Sequence, residues 1–135
     1  GLGRLVLELG ENDGGMLGFA DATGVPRLVL RSEANGDSAL GFLGATGTTQ
    51  LGLSVDLRRT ALTLFGADGG PQAGFESLRG GVAGLKFYGR DLETPLAEMG
   101  VTEEDVPQLI FRDTDGEMTW TAGTEVGNSS SRRRR

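Results

Sequence analysis

The side chains best able to carry chemistry in this chain are its carboxylates. Its 135 residues include 19 Asp and Glu, no His and no Cys. Without His or Cys, Ser–His and Cys–His nucleophilic pairs cannot be assembled from this chain alone, and disulfides and thiolate zinc sites are excluded. Three acids, Asp113, Asp115 and Glu117, fall within the short stretch "DTDGEMTW", which also holds the only Trp, Trp120. The pattern resembles the start of a calcium loop, which needs Gly at its sixth position and a bidentate Glu at its twelfth. Here Gly116 is the fourth residue and Thr124 the twelfth, so the pattern fails as a metal loop. A polar hairpin turn accounts for the same residues. The Gly-rich stretches "RGGVAGLKF" and "GATGTT" fail as phosphate loops: a P-loop ends in Gly-Lys-Ser/Thr, and Gly84-Leu85-Lys86 interposes Leu. No catalytic residue, metal ligand or cofactor site is assigned. Chance pairs among 19 carboxylates leave a carboxylate enzyme, with glycan binding, as a third reading.

Charge narrows the partners. The net charge is −6, and Arg132, Arg133, Arg134 and Arg135 supply four positive charges, so the rest carries about −10. An acidic body lacks the basic face that nucleic acid requires. No apolar run is long enough to span a membrane as a helix. The chain opens on Gly1 rather than Met and in the middle of a repeat unit, which predicts further sequence upstream.

The elements that hold these residues follow from a repeat. Five segments align without internal gaps, starting at Met16, Ala39, Ala61, Gly84 and Gln108. Their second position is always Leu: Leu17, Leu40, Leu62, Leu85 and Leu109. Two residues on stand Phe19, Phe42, Leu64, Phe87 and Phe111, at spacings of 23, 22, 23 and 24. The ninth position is Gly24, Gly47, Gly69, Leu92 and Gly116, and the thirteenth Leu28, Leu51, Ala73, Leu96 and Trp120. "RLVLELGEN" at Arg4 matches "RLVLRSEAN" at Arg27, so the N-terminus is the second half of another unit.

Each unit reads Leu-x-Phe, a turn, then Leu-x-Leu. Period-two alternation around a Gly predicts a hairpin of two short strands. Leu17, Phe19, Leu28 and Leu30 then share one face, expected to be the core. Gly18, Ala20, Arg27 and Val29 share the other, which is mostly small or polar, with Val29, Leu43, Phe65 and Ile110 as exceptions. Trp120 falls in the core-facing slot and is expected to cap the last unit. The fold class expected is all-β: five tandem two-stranded hairpin repeats plus an N-terminal half repeat, forming a repeat sheet, a prism or solenoid, or a barrel.

One region departs from the pattern. Residues 91–107 lack the turn Gly and contain Pro95 and Pro107; Thr94-Pro95 and Thr102-Glu-Glu read as helix starts, so a helical turn is expected there. The β-repeat domain is placed at 1–126, and 127–135 as a flexible Ser/Arg tail. Partner-binding candidates are Glu103, Glu104 and Asp105 in the irregular loop and Arg132 to Arg135 in the tail, the latter an electrostatic anchor for anionic lipid headgroups or an acidic partner.

The unit Leu-x-Phe-x-Asp-x-x-Gly-x-x-x-Leu resembles a tandem β-repeat of bacterial proteins, and "LIFRDTDGEMTWTAG" resembles its final unit. The resemblance covers most of the chain. It implies a non-enzymatic extramembrane β domain, since such repeats often follow an N-terminal membrane helix, and it carries no catalytic residues. This chain departs from the pattern in showing no such helix and in lacking the turn Gly of its fourth unit. The expectation is a structural or interaction module, an accessory or scaffold subunit of a larger membrane-associated assembly at the cell envelope, bound to other protein subunits. The alternative is a homotrimeric fibre or adhesin segment of a phage or cell surface.

Overall fold

A computed structural model describes residues 4–10, 14–89 and 94–123. They form eleven strands: β1 (Arg4–Leu9), β2 (Gly15–Ala20), β3 (Pro26–Ser32), β4 (Ser38–Leu43), β5 (Thr49–Val55), β6 (Arg59–Phe65), β7 (Pro71–Leu78), β8 (Ala83–Tyr88), β9 (Pro95–Val101), β10 (Pro107–Arg112) and β11 (Met118–Gly123). All belong to one antiparallel sheet whose spatial order is the chain order. The units are hairpins, as the alternation predicts. β1 and β11 are the two edges and do not pair, so the sheet is open and the barrel alternative is excluded.

The turns explain the regularity. Within the first unit, the Asp21 amide donates to Val25 O (2.9 Å) and the Gly24 amide to Asp21 O (3.0 Å). Gly24 has φ +88°. This is a type I turn followed by a left-handed residue that opens a bulge, and Gly takes that conformation without steric cost. The same bonds close the turns at Gly44, Gly66 and Asp113. A bulge follows at the same place in all five units: after Phe19, Phe42, Leu64, Phe87 and Phe111. All four prolines, Pro26, Pro71, Pro95 and Pro107, open a strand, where a missing amide is tolerated.

Three expectations are corrected. The helical turn at 91–107 is not formed over the described residues: Pro95–Val101 is strand β9, 102–106 is a turn and Pro107 opens β10. Pro95 therefore starts a strand rather than a helix; residues 91–93 lie outside the described residues. The fourth loop is also longer by one residue, so Ala97, not Leu96, pairs with Phe87. A slip of one residue turns each side chain to the opposite face.

The third correction concerns the core. The hydrophobic residues that are buried outright, Ala61 and Ile110, lie on the face expected to be small and polar. Rim side chains fold back over glycines there: a Cβ built on Gly52 would stand 3.2 Å from the Phe65 ring, and one on Gly41 would stand 3.8 Å from Leu43. Among the described residues neither face carries a second layer, and the Leu/Phe face, without side chains folded back over it, is the more exposed of the two.

Candidate interaction surface

The acids of the opening stretch are turn residues. Asp113 Oδ1 accepts the amides of Asp115 and Glu117, each at 3.0 Å. Asp21, its counterpart in the first unit, accepts those of Thr23 (2.9 Å) and Val25 (3.1 Å). Asp56 Oδ1 likewise accepts the amides of Arg58 (2.7 Å) and Arg59 (2.9 Å). These carboxylates are engaged in holding reversals. The Thr23 hydroxyl foremost holds the Asp21 carboxyl well below the usual carboxylate range; desolvation opposes it, and the Arg27 guanidinium and the Thr23 and Val25 amides add to the lowering. Asp56 is lowered too, chiefly by the Arg58 amide. Among the described residues no three His, Cys, Asp or Glu are grouped as a metal site would require.

Arg27 ties adjacent hairpins together: its guanidinium bonds Asp21 and donates to Gly44 O at 2.6 Å. On the same face, towards the C-terminal edge, Lys86 pairs with Glu76, and Arg112 Nη1 lies 2.8 Å from Glu98 Oε1, with both Arg112 and Glu98 side chains 18% exposed. Lys86 stands directly opposite Glu98 across β8 and β9. The charges alternate in sign across four strands. The sequence reading missed this arrangement, although all four residues fall on the non-Leu face once strands are aligned.

The Leu/Phe face is chemically uniform across the whole sheet. Cross-strand pairing lines its residues up in two rows. The first runs Leu7, Leu17, Leu30, Leu40 and Leu53 from β1 to β5. It continues as Leu62, Phe75, Leu85, Met99, Leu109 and Ala122 from β6 to β11. The second runs Leu5, Phe19, Leu28, Phe42 and Leu51. It continues as Leu64, Ala73, Phe87, Ala97, Phe111 and Trp120. Every strand supplies two apolar side chains, and no polar or charged residue interrupts either row.

The band is open to solvent: Leu7 is 75% exposed, Met99 52%, and Leu85 still 37%. Monomeric soluble proteins seldom show so continuous an apolar surface. Trp120 ends the second row, as its slot predicted, and its ring centroid lies 5.5 Å from that of Phe111. A groove of about 580 Å³ on the opposite face, near Val29, Leu43 and Phe65, is interrupted by Arg31 and Thr63.

Of the expected partner-binding residues, Glu103, Glu104 and Asp105 sit together on the exposed turn between β9 and β10. Arg132, Arg133, Arg134 and Arg135 lie outside the described residues, so the structure does not place them relative to that turn. No helix among the described residues is long and apolar enough to cross a membrane. No family model and no curated protein matches this chain.

Proposed function

We propose that this protein is a non-enzymatic structural and interaction module, an accessory or scaffold subunit that works by apposing one face of its sheet to protein subunits of a larger assembly. The uninterrupted double row of apolar side chains, exposed across all eleven strands, carries this reading. A single sheet cannot cover its own apolar face, and water contact along its whole width is costly, so the face favours a protein cover. The engaged turn carboxylates point the same way, since their lone pairs are committed to backbone amides. Resemblance to bacterial tandem repeats, which often follow a membrane helix, supports an assembly at the cell envelope. The four terminal arginines would add an attraction to anionic headgroups.

The test uses a photo-crosslinking amino acid placed at Leu62 or, one residue on, at Thr63, in the cells that make the protein. The two positions face opposite ways on β6. Protein adducts from position 62 that position 63 does not give support the reading. Equal adduct patterns, or none from either position, sink it.

The alternative is a fibre or adhesin segment built from three copies. The constant period of the band favours it, because strands stacked at one spacing make a face that can run along a common axis.

A further inference from the structure

We infer that the occupant of the Leu/Phe band is the same band of a second copy of this chain. The inference rests on the interaction reading above and names the partner. Four features of the surface carry it.

The first is area. Strands stand about 4.8 Å apart, so the band is about 48 Å wide, and two same-face residues with their side chains span about 13 Å along each strand. Apposing two bands therefore removes roughly 1,200 Å² from water, at the lower end of what specific stable interfaces bury. The second is matched spacing. Leu and Phe project from every strand at the strand repeat, so a second copy presents the same lattice of side chains and hollows across its full width. A partner of another fold would meet that lattice over only part of it.

The third is charge. The chain carries a net −6, yet neither row contains an ionisable group. Ionic repulsion between copies is confined to turns and the opposite face, where salt screens it. The fourth is symmetry. β6 is the central strand of the eleven, with five on either side. A two-fold arrangement covering the whole band sets β6 of one copy against β6 of the other, and Leu62 near the axis meets its own counterpart.

The native chain has no Cys, so a single introduced thiol reports a single place. In the purified full chain, a short bis-maleimide should join two Leu62→Cys copies at least about tenfold faster than two Thr63→Cys copies, because apposed thiols meet at high effective concentration. Sedimentation should give the unmodified chain a mass of two copies, with the two-copy fraction rising with added salt; a three-copy mass overturns the two-fold pairing. Leu40→Glu should reduce it to one copy while leaving the β circular dichroism unchanged. Leu40 is already part-exposed in the single sheet, so a charge there opposes assembly more than folding.

A one-copy mass at all concentrations overturns the inference, as does equal joining of the two thiols. A one-copy mass combined with band-specific adducts to another protein in cells would overturn it and leave the interaction reading standing. Absence of both would end both. An assembly that survives Leu40→Glu would place the contact elsewhere and also overturn it.

Discussion

Gly84 and Gly100 face each other across β8 and β9, and neither position has room for a side chain. A Cβ built on Gly100 would overlap the Ala83 carbonyl oxygen and lie 2.9 Å from Gly84 Cα; one built on Gly84 would lie 3.0 Å from Met99 O. The close neighbours are backbone atoms, which cannot rotate away. Gly100→Ala is expected to destabilise the sheet by about 2 kcal/mol, in the range of overpacked sites. Gly24→Ala, where nothing crowds a Cβ, should cost only about 1 kcal/mol through its positive φ. Denaturant unfolding of the two variants separates crowding from backbone strain.

Asp105 occupies the left-handed position that Gly fills in the other turns of this kind, with φ 59°. Its turn keeps the shared hydrogen bonds, Thr102 N to Val106 O (3.0 Å) and Asp105 N to Thr102 O (3.1 Å). Asp105→Gly is therefore expected to raise stability by about 0.5 kcal/mol, the strain relief slightly exceeding the added entropy of the unfolded chain. A lower melting temperature would show that the carboxylate does more than tolerate the conformation.

The Glu98–Arg112 pair predicts a measurable coupling. Both side chains are mostly shielded, so the pair should be worth about 1 kcal/mol, more than an open surface pair. A double-mutant cycle with Glu98→Gln and Arg112→Met reads that coupling directly. Additive losses would reduce the contact to coincidence.

Stability should depend on pH through Asp21. Its folded carboxyl titrates below its unfolded one, so the unfolded chain binds more protons in acid. Its contribution is present in full above the unfolded value, about 3.9 for Asp, and is lost as pH falls through the folded one. Asp21→Asn should lack this part of the acid slope and converge with the native chain at low pH. Melting curves between neutral and strongly acidic solution test it; parallel curves would contradict it.

Trp120 anchors β11, an edge strand that β10 alone supports among the described residues. Trp120→Ala should cost about 1 kcal/mol from the aromatic contact and speed amide exchange in β11 first. Uniform acceleration over all strands would mean that the last hairpin is not an independent opening unit.

Much of the fold was legible in the repeat. Leu17, Leu40, Leu62, Leu85 and Leu109 do share one face, and the aligned glycines described by the structure do turn the chain at positive φ. Both signals are local, set by alternation and by the conformational reach of Gly. Failure came where local signals compete. Thr94-Pro95 reads equally as a helix cap and as the last turn residue before a strand. Pro26 and Pro71 open strands directly after turns, the placement that Pro95 takes in the folded sheet, and the expectation of a helical turn did not draw on them. The extra residue in that loop left Leu96 in the thirteenth place of the ungapped alignment, where Leu28 and Leu51 stand in earlier units, and so concealed the shift. The burial error was of another kind: alternation reveals that a face is apolar, never what lies over it. The Glu76–Lys86 and Glu98–Arg112 pairs needed cross-strand register, which only the folded sheet supplies.

Because each strand touches only the strands before and after it in sequence, this sheet has no keystone. Two strands could be added to or removed from its middle at the turns, and the remaining register and both apolar rows would rejoin. The length of the surface is thus adjustable in whole hairpins, about 9.6 Å at a time from the strand spacing. The same connectivity decides how it yields to force. Pulled by its ends, the sheet would peel one strand at a time from an edge, lengthening in steps rather than breaking at a single threshold.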